Sequence, residues 1–251
     1  MSVEAGLLDI RGLKKQFGKL VAVDDVSTSF YENELCAIIG PNGAGKTTFF
    51  NLLTGELEPT AGEISFDGVD ITEYSPHEIA RTGLIRSFQV TNVFKDMIVY
   101  ENVQTAVLSN QFHYDFWRQR DRMDDVEERC HDLLSRMDLA DEREKTAGNL
   151  SHGDQRMLEI TLALAKDPDL LLLDEPTSGM SSAETSDMID VINDLAEDIP
   201  IVLIEHKMSF VRNVADRLLV LHNGQVLADG DPDTVRENKQ VQDVYLKSYD
   251  K

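Results

Sequence analysis

The chain has 251 residues, with 24 Lys and Arg against 46 Asp and Glu and a net charge of −22 at pH 7. Its 41% hydrophobic residues suffice for one large α/β domain or two small ones. The acidic balance excludes a nucleic-acid backbone or an anionic lipid surface as principal ligand, because both demand basic stripes. The acids are scattered rather than blocked, which reads as a solvated surface suited to concentrated salt, a statement about habitat and not about function.

The N-terminal MSVEAGLLDIRGLKKQF has no apolar run of signal-peptide length. No stretch reaches the ~18 apolar residues that cross a bilayer, so a soluble, cytosolic chain without direct membrane insertion is expected. Cys36 and Cys130 lie far apart in unlike contexts, so neither a disulfide framework nor a metal site is indicated.

In chain order, short strands are predicted at 7–10, 21–26 and 27–31. A tight apolar strand follows at Leu35–Ile39, then GPNGAGKTT and a helix through FFNLL closed by Gly55. The segment 62–72 reads as extended, with glycine at its turns. Residues 90–150 are polar, charged and helical in pattern, and contain the aromatics Phe112, Tyr114, Phe116 and Trp117. This stretch reads as a helical subdomain inserted into an α/β core. The core resumes with a helix over 155–165, a strand at Leu170–Leu173, and a helix from about Ser181, with Ser181 and Glu184 spaced as a capping box. A strand at Ile201–Ile204 follows, then strands at 218–221 and 225–227 joined by Asn223-Gly224, a hairpin signal. The last eighteen residues read as one short helix. No internal repeat is present, so the expected organisation is a single domain over 1–251. Its α/β core is assigned to 1–89 and 156–251, and its helical subdomain to 90–155.

Two motifs carry chemistry. Gly40–Thr47 fits G-x-x-x-x-G-K-[ST], with a strand before it and a helix after it. Its glycines let successive N–H groups face phosphate oxygens, and the helix N-terminus adds positive potential. Lys46 would reach the β- and γ-phosphates of a bound nucleotide, and Thr47 would ligate Mg²⁺. The second motif is LLLLDEPT, 170–177, a buried parallel strand ending in two carboxylates. Side chains alternate along a strand, so Asp174 and Glu175 face different surroundings. Asp174 is assigned to the Mg²⁺ shell and Glu175 to polarising an attacking water.

With these motifs in place, the chain resembles an ATP-binding subunit of an ABC transporter over nearly its whole length. NLSHGDQRMLEI, 149–160, resembles the family signature usually written LSGGQ, which binds the γ-phosphate of ATP held by the opposite subunit. Ser151, Gly153 and Asp154 take the matching positions; His152 replaces a glycine and Asp154 the usual glutamine. Ser151 also reads as a plain N-cap, and the two roles are compatible. The resemblance makes Gln89 in RSFQ the residue that senses Mg²⁺ and water, and His206 in LIEHKM the switch histidine on the γ-phosphate. It makes Phe17 the aromatic that stacks on adenine, with a place in the core as the alternative. Gly40, Pro41, Asn42, Gly43, Ala44, Gly45, Lys46, Thr47 and Thr48 become the nucleotide-binding loop, and Thr47, Gln89 and Asp174 the Mg²⁺ residues. Ser181 stands where the dimer-interface loop commonly carries Asp.

The implied fold is α/β, a P-loop NTPase of the ABC type. It has a mixed sheet core, N-terminal antiparallel strands and an inserted helical subdomain. RSFQ, SHGDQRMLEI, GMSSAET, LIEHKM and a C-terminal VYL resemble ATPases of branched-chain amino-acid importers, with urea and short-amide importers as the near alternative. The implied partners are a second ATPase subunit, two membrane permease subunits and, indirectly, an extracytoplasmic solute-binding protein. The implied place is the cytoplasmic face of the cell membrane. A soluble ABC ATPase acting on DNA or ribosomes would want two cassettes or a basic surface. A non-hydrolysing structural cassette would not keep Lys46, Gln89, Asp174, Glu175 and His206 together.

Overall fold

The computed structural model describes residues 6–87, 93–111 and 119–249. By chain order the elements are β1 (Leu8–Phe17), β2 (Leu20–Phe30), β3 (Leu35–Ile39), α1 (Lys46–Leu53), β4 (Ala61–Phe66), β5 (Val69–Asp70), α2 (Pro76–Arg81) and β6 (Leu84–Ser87). Then come α3 (Val99–Gln111), α4 (Gln119–Arg136), α5 (His152–Leu164), β7 (Leu170–Asp174), α6 (Ser182–Ala196) and β8 (Ile201–Ile204). The chain ends with α7 (Met208–Val214), β9 (Arg217–His222), β10 (Gln225–Gly230), α8 (Pro232–Glu237) and α9 (Lys239–Tyr249).

Two compact units divide the chain. One comprises 1–86, 169–175 and 193–251, the other 87–168 and 176–192. The sequence assigned the helical subdomain to 90–155. α5 is one continuous helix across residue 155, so the second unit runs on to its end.

The first unit holds both sheets. β2, β1, β4 and β5 form the antiparallel sheet that the N-terminal strands foreshadow. β2 is a single strand where the sequence suggested two. Asp24-Asp25, inside the first of those two predicted segments, forms a bulge with Asp25 at φ 55, and the strand runs on through residues 26–30, still paired with β1. The second sheet runs β10-β9-β3-β8-β7-β6. β3 lies parallel to β8 and β9, and β7 parallel to β8, while β10 returns antiparallel through Asn223-Gly224, both at positive φ. β3, β7 and β8 are buried at every position, as unbroken apolar runs in a parallel sheet must be. Phe49 and Phe50 of α1 pack with Leu172, Val202 and Leu219 in the same core.

Arg217 ties the sheets together. Its Nε and Nη2 donate to the two carboxylate oxygens of Asp229, both at 2.6 Å, and Nη1 donates to the Ser29 carbonyl at 2.7 Å. The guanidinium also lies 6.0 Å from the Phe30 ring centroid. Arg217→Ala strands these acceptors, and is expected to lower the unfolding free energy by about 2–3 kcal/mol. A fall in the urea midpoint with an unchanged slope would show this; an unmoved midpoint would refute it.

The second unit is helical, as expected from 90–150. α3 contacts α4 and α5. α5 starts at His152, three residues before the predicted 155, because Ser151 caps it: its Oγ accepts from Asp154 N–H at 3.1 Å. α2 and α7, of six and seven residues, had no sequence prediction. The C-terminal segment is two helices, not one, with Asp231 capping α8 ahead of the predicted start.

Candidate active site

The glycine-rich loop leaves β3 and enters α1. Gly45 sits at φ 103, and a Cβ there would meet the Ala22 carbonyl at 2.3 Å; at Gly40 a Cβ would meet the Leu221 carbonyl at 2.2 Å. Both positions are closed to any side chain. Gly224 N–H, in the β9–β10 turn, donates to Ala44 O at 2.9 Å and braces the loop. The first bond within α1 is Phe49 N–H to Gly45 O at 2.8 Å, so the N–H groups of Lys46, Thr47 and Thr48 have no acceptor in the helix. They form the anion-facing end.

Lys46 is buried, and its Nζ donates to Gly40 O at 2.7 Å and Pro41 O at 3.1 Å. Burial pulls the ammonium below its usual range, opposed by the charges of Glu175 and Asp174.

Asp174 ends β7 and Glu175 follows just outside it, so a left-handed turn of the backbone, rather than the strand alternation expected from the sequence, separates their surroundings. Asp174 is 2% exposed, and its Oδ2 accepts from Arg86 Nη2 at 2.6 Å. Its Oδ1 is buried and has no hydrogen-bond partner among the described residues. Glu175 is partly exposed, with its N–H tied to Ile204 O at 2.9 Å and φ at +50. A non-glycine residue in that region stores roughly 1–2 kcal/mol of strain, held here by the β8 contact. His206 follows β8, and its Nε2 lies 2.7 Å from Glu175 Oε1.

The structure thus brings Lys46, Asp174, Glu175 and His206 together in the first unit. Three further participants, Arg86, Asn51 and Glu205, escaped the sequence reading. Arg86 bonds Asp174 and also donates from Nη1 to Asn51 Oδ1 at 2.7 Å. Glu205 is buried, and its Oε2 accepts from the N–H groups of His206 and Lys207 at 2.6 and 3.0 Å, which shapes the turn that presents His206. Arg86 and Glu205 flank recognised residues, in RSFQ and LIEHKM, which is the only signal that marked them. Phe17 ends β1 at 44% exposure, which rules out the core alternative, and the Lys15 ammonium lies 5.2 Å from its ring centroid. Gln89 and the aromatics Phe112, Tyr114, Phe116 and Trp117 lie outside the described residues.

In the second unit the signature-like segment has its own geometry. Gly153 N–H donates to Glu184 Oε1 at 3.2 Å, and Ser181 N–H to Glu184 Oε2 at 2.8 Å. His152 lies against Gly179, where a Cβ would meet the ring at 2.7 Å. The histidine that replaces the family's glycine is therefore accommodated by another glycine. Hydrogen bonds from the Ser181 backbone and hydroxyl, then from Gly153 N–H, hold the Glu184 carboxyl below its ordinary 4.5. A depressed carboxyl stabilises the fold above its unfolded-state pKa, and that contribution fades as pH falls through the folded value. The stability gap between wild type and Glu184→Ala is expected to narrow as the pH falls below the ordinary 4.5 of a free glutamate, in urea titrations at stepped pH. A gap that persists there would contradict this.

A phosphate-cradling loop, a buried lysine and a carboxylate pair at the end of a parallel strand define a P-loop nucleoside triphosphatase. Residues 23–178 match the family described as ABC transporter. Over 250 residues, the chain is 38% identical to the high-affinity branched-chain amino acid transport ATP-binding protein BraF of Pseudomonas aeruginosa, covering 96% of this chain and 97% of that one. It is 36% identical to the high-affinity branched-chain amino acid transport ATP-binding protein LivG of Escherichia coli K12, at the same coverage. A crystal structure of an ATP-binding cassette of an ABC transporter in its ADP conformation superposes with a TM-score of 0.85 at 31% identity, covering 97% and 99% of the two chains. The chain belongs to the ABC transporter family, as an ATP-hydrolysing, nucleotide-binding subunit. Among the described residues no helix is long and apolar enough to cross a membrane.

Proposed function

We propose that the chain energises a branched-chain amino-acid importer, as the names of BraF and LivG suggest, from the cytoplasmic face of the membrane. The observation that supports the catalytic reading best is the 2.7 Å approach of His206 Nε2 to Glu175 Oε1 beside the buried Lys46. Glu175 orients and deprotonates the attacking water, and His206 holds that carboxylate and contacts the γ-phosphate of ATP. Lys46 and the N–H groups of the loop from Gly40 to Thr48 hold the β- and γ-phosphates, and Phe17 offers its exposed ring to adenine. Asp174 Oδ1, a buried acceptor with no donor among the described residues, and the Thr47 hydroxyl suit Mg²⁺, which takes few protein ligands beside substrate phosphates. When bound, Mg²⁺ neutralises phosphate charge. Gln89 completes that set.

One chain supplies half of each site. Two ATPase subunits pack head to tail, with Ser151, Gly153 and Asp154 of each meeting the ATP on the other, and two permease subunits receive the motion. A solute-binding protein delivers the cargo from outside.

The test is ATPase activity of the chain co-purified with its membrane subunits and solute-binding protein in vesicles. Leucine, isoleucine or valine is expected to raise the rate. Stimulation by urea or short amides instead would move the assignment to that importer type, and indifference to all of them would overturn the import reading.

A further inference from the structure

We propose that Arg86 is a positioning residue that sets the orientation of the Asp174 carboxylate and locks it to the helix of the phosphate loop. The inference rests on the reading of Asp174 as a Mg²⁺ residue, and adds how the chain aims it.

The arrangement is specific. Arg86 lies on β6 with its side chain 6% exposed. Its Nη2 donates to Asp174 Oδ2 at 2.6 Å and its Nη1 to Asn51 Oδ1 at 2.7 Å. The guanidinium lies 5.6 Å from the Phe50 ring centroid, which blocks one face. A planar fork can hold two acceptors on separate nitrogens at a fixed angle; a lysine ammonium is a point charge on a flexible stem and cannot.

The terminal torsion of a free aspartate is broad, so a carboxylate at a strand end does not fix its own oxygens. Here Oδ2 is taken by Arg86, and Oδ1 is left buried with no donor among the described residues. An orphaned buried carboxylate oxygen is costly in a folded protein and calls for a reason. Arg86 supplies it, by reserving Oδ1 for the shell of the metal.

The second bond extends the effect. Asn51 stands four residues after Thr47 on α1, hence on the same face of the helix. Arg86 thus spans the two elements that carry Asp174 and Thr47, the two residues that would hold Mg²⁺ together, and ties one to the other.

The experiment measures the affinity of the purified full-length chain for a fluorescent ATP analogue, in EDTA and across a Mg²⁺ titration. Arg86→Met and Arg86→Lys are expected to raise the Mg²⁺ concentration at half effect by about 10-fold or more, the usual consequence of losing an outer partner of a metal ligand. Asn51→Ala is expected to raise it less. Affinity in EDTA is expected to stay within about twofold of wild type for all three, which a general loosening of the loop would not allow. Asp174→Asn is the control: if it leaves the Mg²⁺ dependence unmoved, the reading of the metal site fails. If Asp174→Asn shifts the dependence while folded Arg86→Lys and Arg86→Met do not, the positioning role fails. Should Arg86→Met not fold, Arg86→Lys and Asn51→Ala decide by the same criteria, and an unshifted titration for both rejects the proposal.

Discussion

Glu175→Gln is expected to slow phosphate release by about 10²–10⁴-fold while leaving ATP binding intact, the range for loss of a positioned general base. The substitution is nearly isosteric, so the β8 bond to its N–H and the left-handed backbone at φ +50 are retained. What disappears is an oxygen able to take a proton, together with the charge that faces His206 Nε2 at 2.7 Å. The amide also lifts a negative charge from the neighbourhood of Lys46, which favours the polyanionic nucleotide. ATP then persists in the site, and sizing chromatography with ATP and Mg²⁺ is expected to show a dimer. Rates equal to wild type would favour a cassette in which this carboxylate has no catalytic part. A variant that stays monomeric with ATP bound would count against the paired arrangement.

Lys46→Ala is expected to weaken ATP binding by roughly 10–150-fold, equivalent to about 1.5–3 kcal/mol for hydrogen bonds to a charged group. The side chain is a buried cation that Asp174 and Glu175 help to keep charged. Its present acceptors are the carbonyls of Gly40 and Pro41, both in the loop itself. Removing it takes away the donor for phosphate and also a tie across the loop, so the variant loses affinity and local order together. Lys46→Arg is not expected to rescue, because a planar guanidinium fork does not reproduce the compact point charge that the ammonium presents between these two carbonyls. Titration with a fluorescent ATP analogue measures the loss, and an unchanged affinity would remove Lys46 from the phosphate site.

Much of this protein is legible in its amino-acid order. Gly40–Thr47 can be read because the motif encodes its own geometry: the glycines are fixed by backbone clearance at Ala22 and Leu221, and the helix follows from FFNLL. Leu170–Asp174 and Ile201–Ile204 announce themselves as unbroken apolar runs, and Asn223-Gly224 as a hairpin turn. α2 escapes notice although Ser75, Pro76 and Glu78 form a capping box with proline at the helix start, because six residues with one buried side chain show no periodicity. α7 is nearly as short. β2 reads as two strands split after Val26, because the pairing with β1 that carries it on to Phe30 is not visible in the sequence.

The net charge marks the limit of composition. A value of −22 excluded classes of ligand, but the nucleotide site depends on one buried ammonium and a few N–H groups gathered at one point. The sequence by itself determined the family, the glycine loop, the strand that leads into Asp174 and Glu175, and the helical character of the insert. Each of these is contiguous, so local backbone preference and periodicity write it into neighbouring residues. Only the tertiary structure decided that Arg86 holds Asp174 across 88 positions. The same is true of His206 meeting Glu175 across 31. Those contacts follow from the strand order β3-β8-β7-β6. Strand order is set by how buried faces pack, and no short stretch of chain contains it.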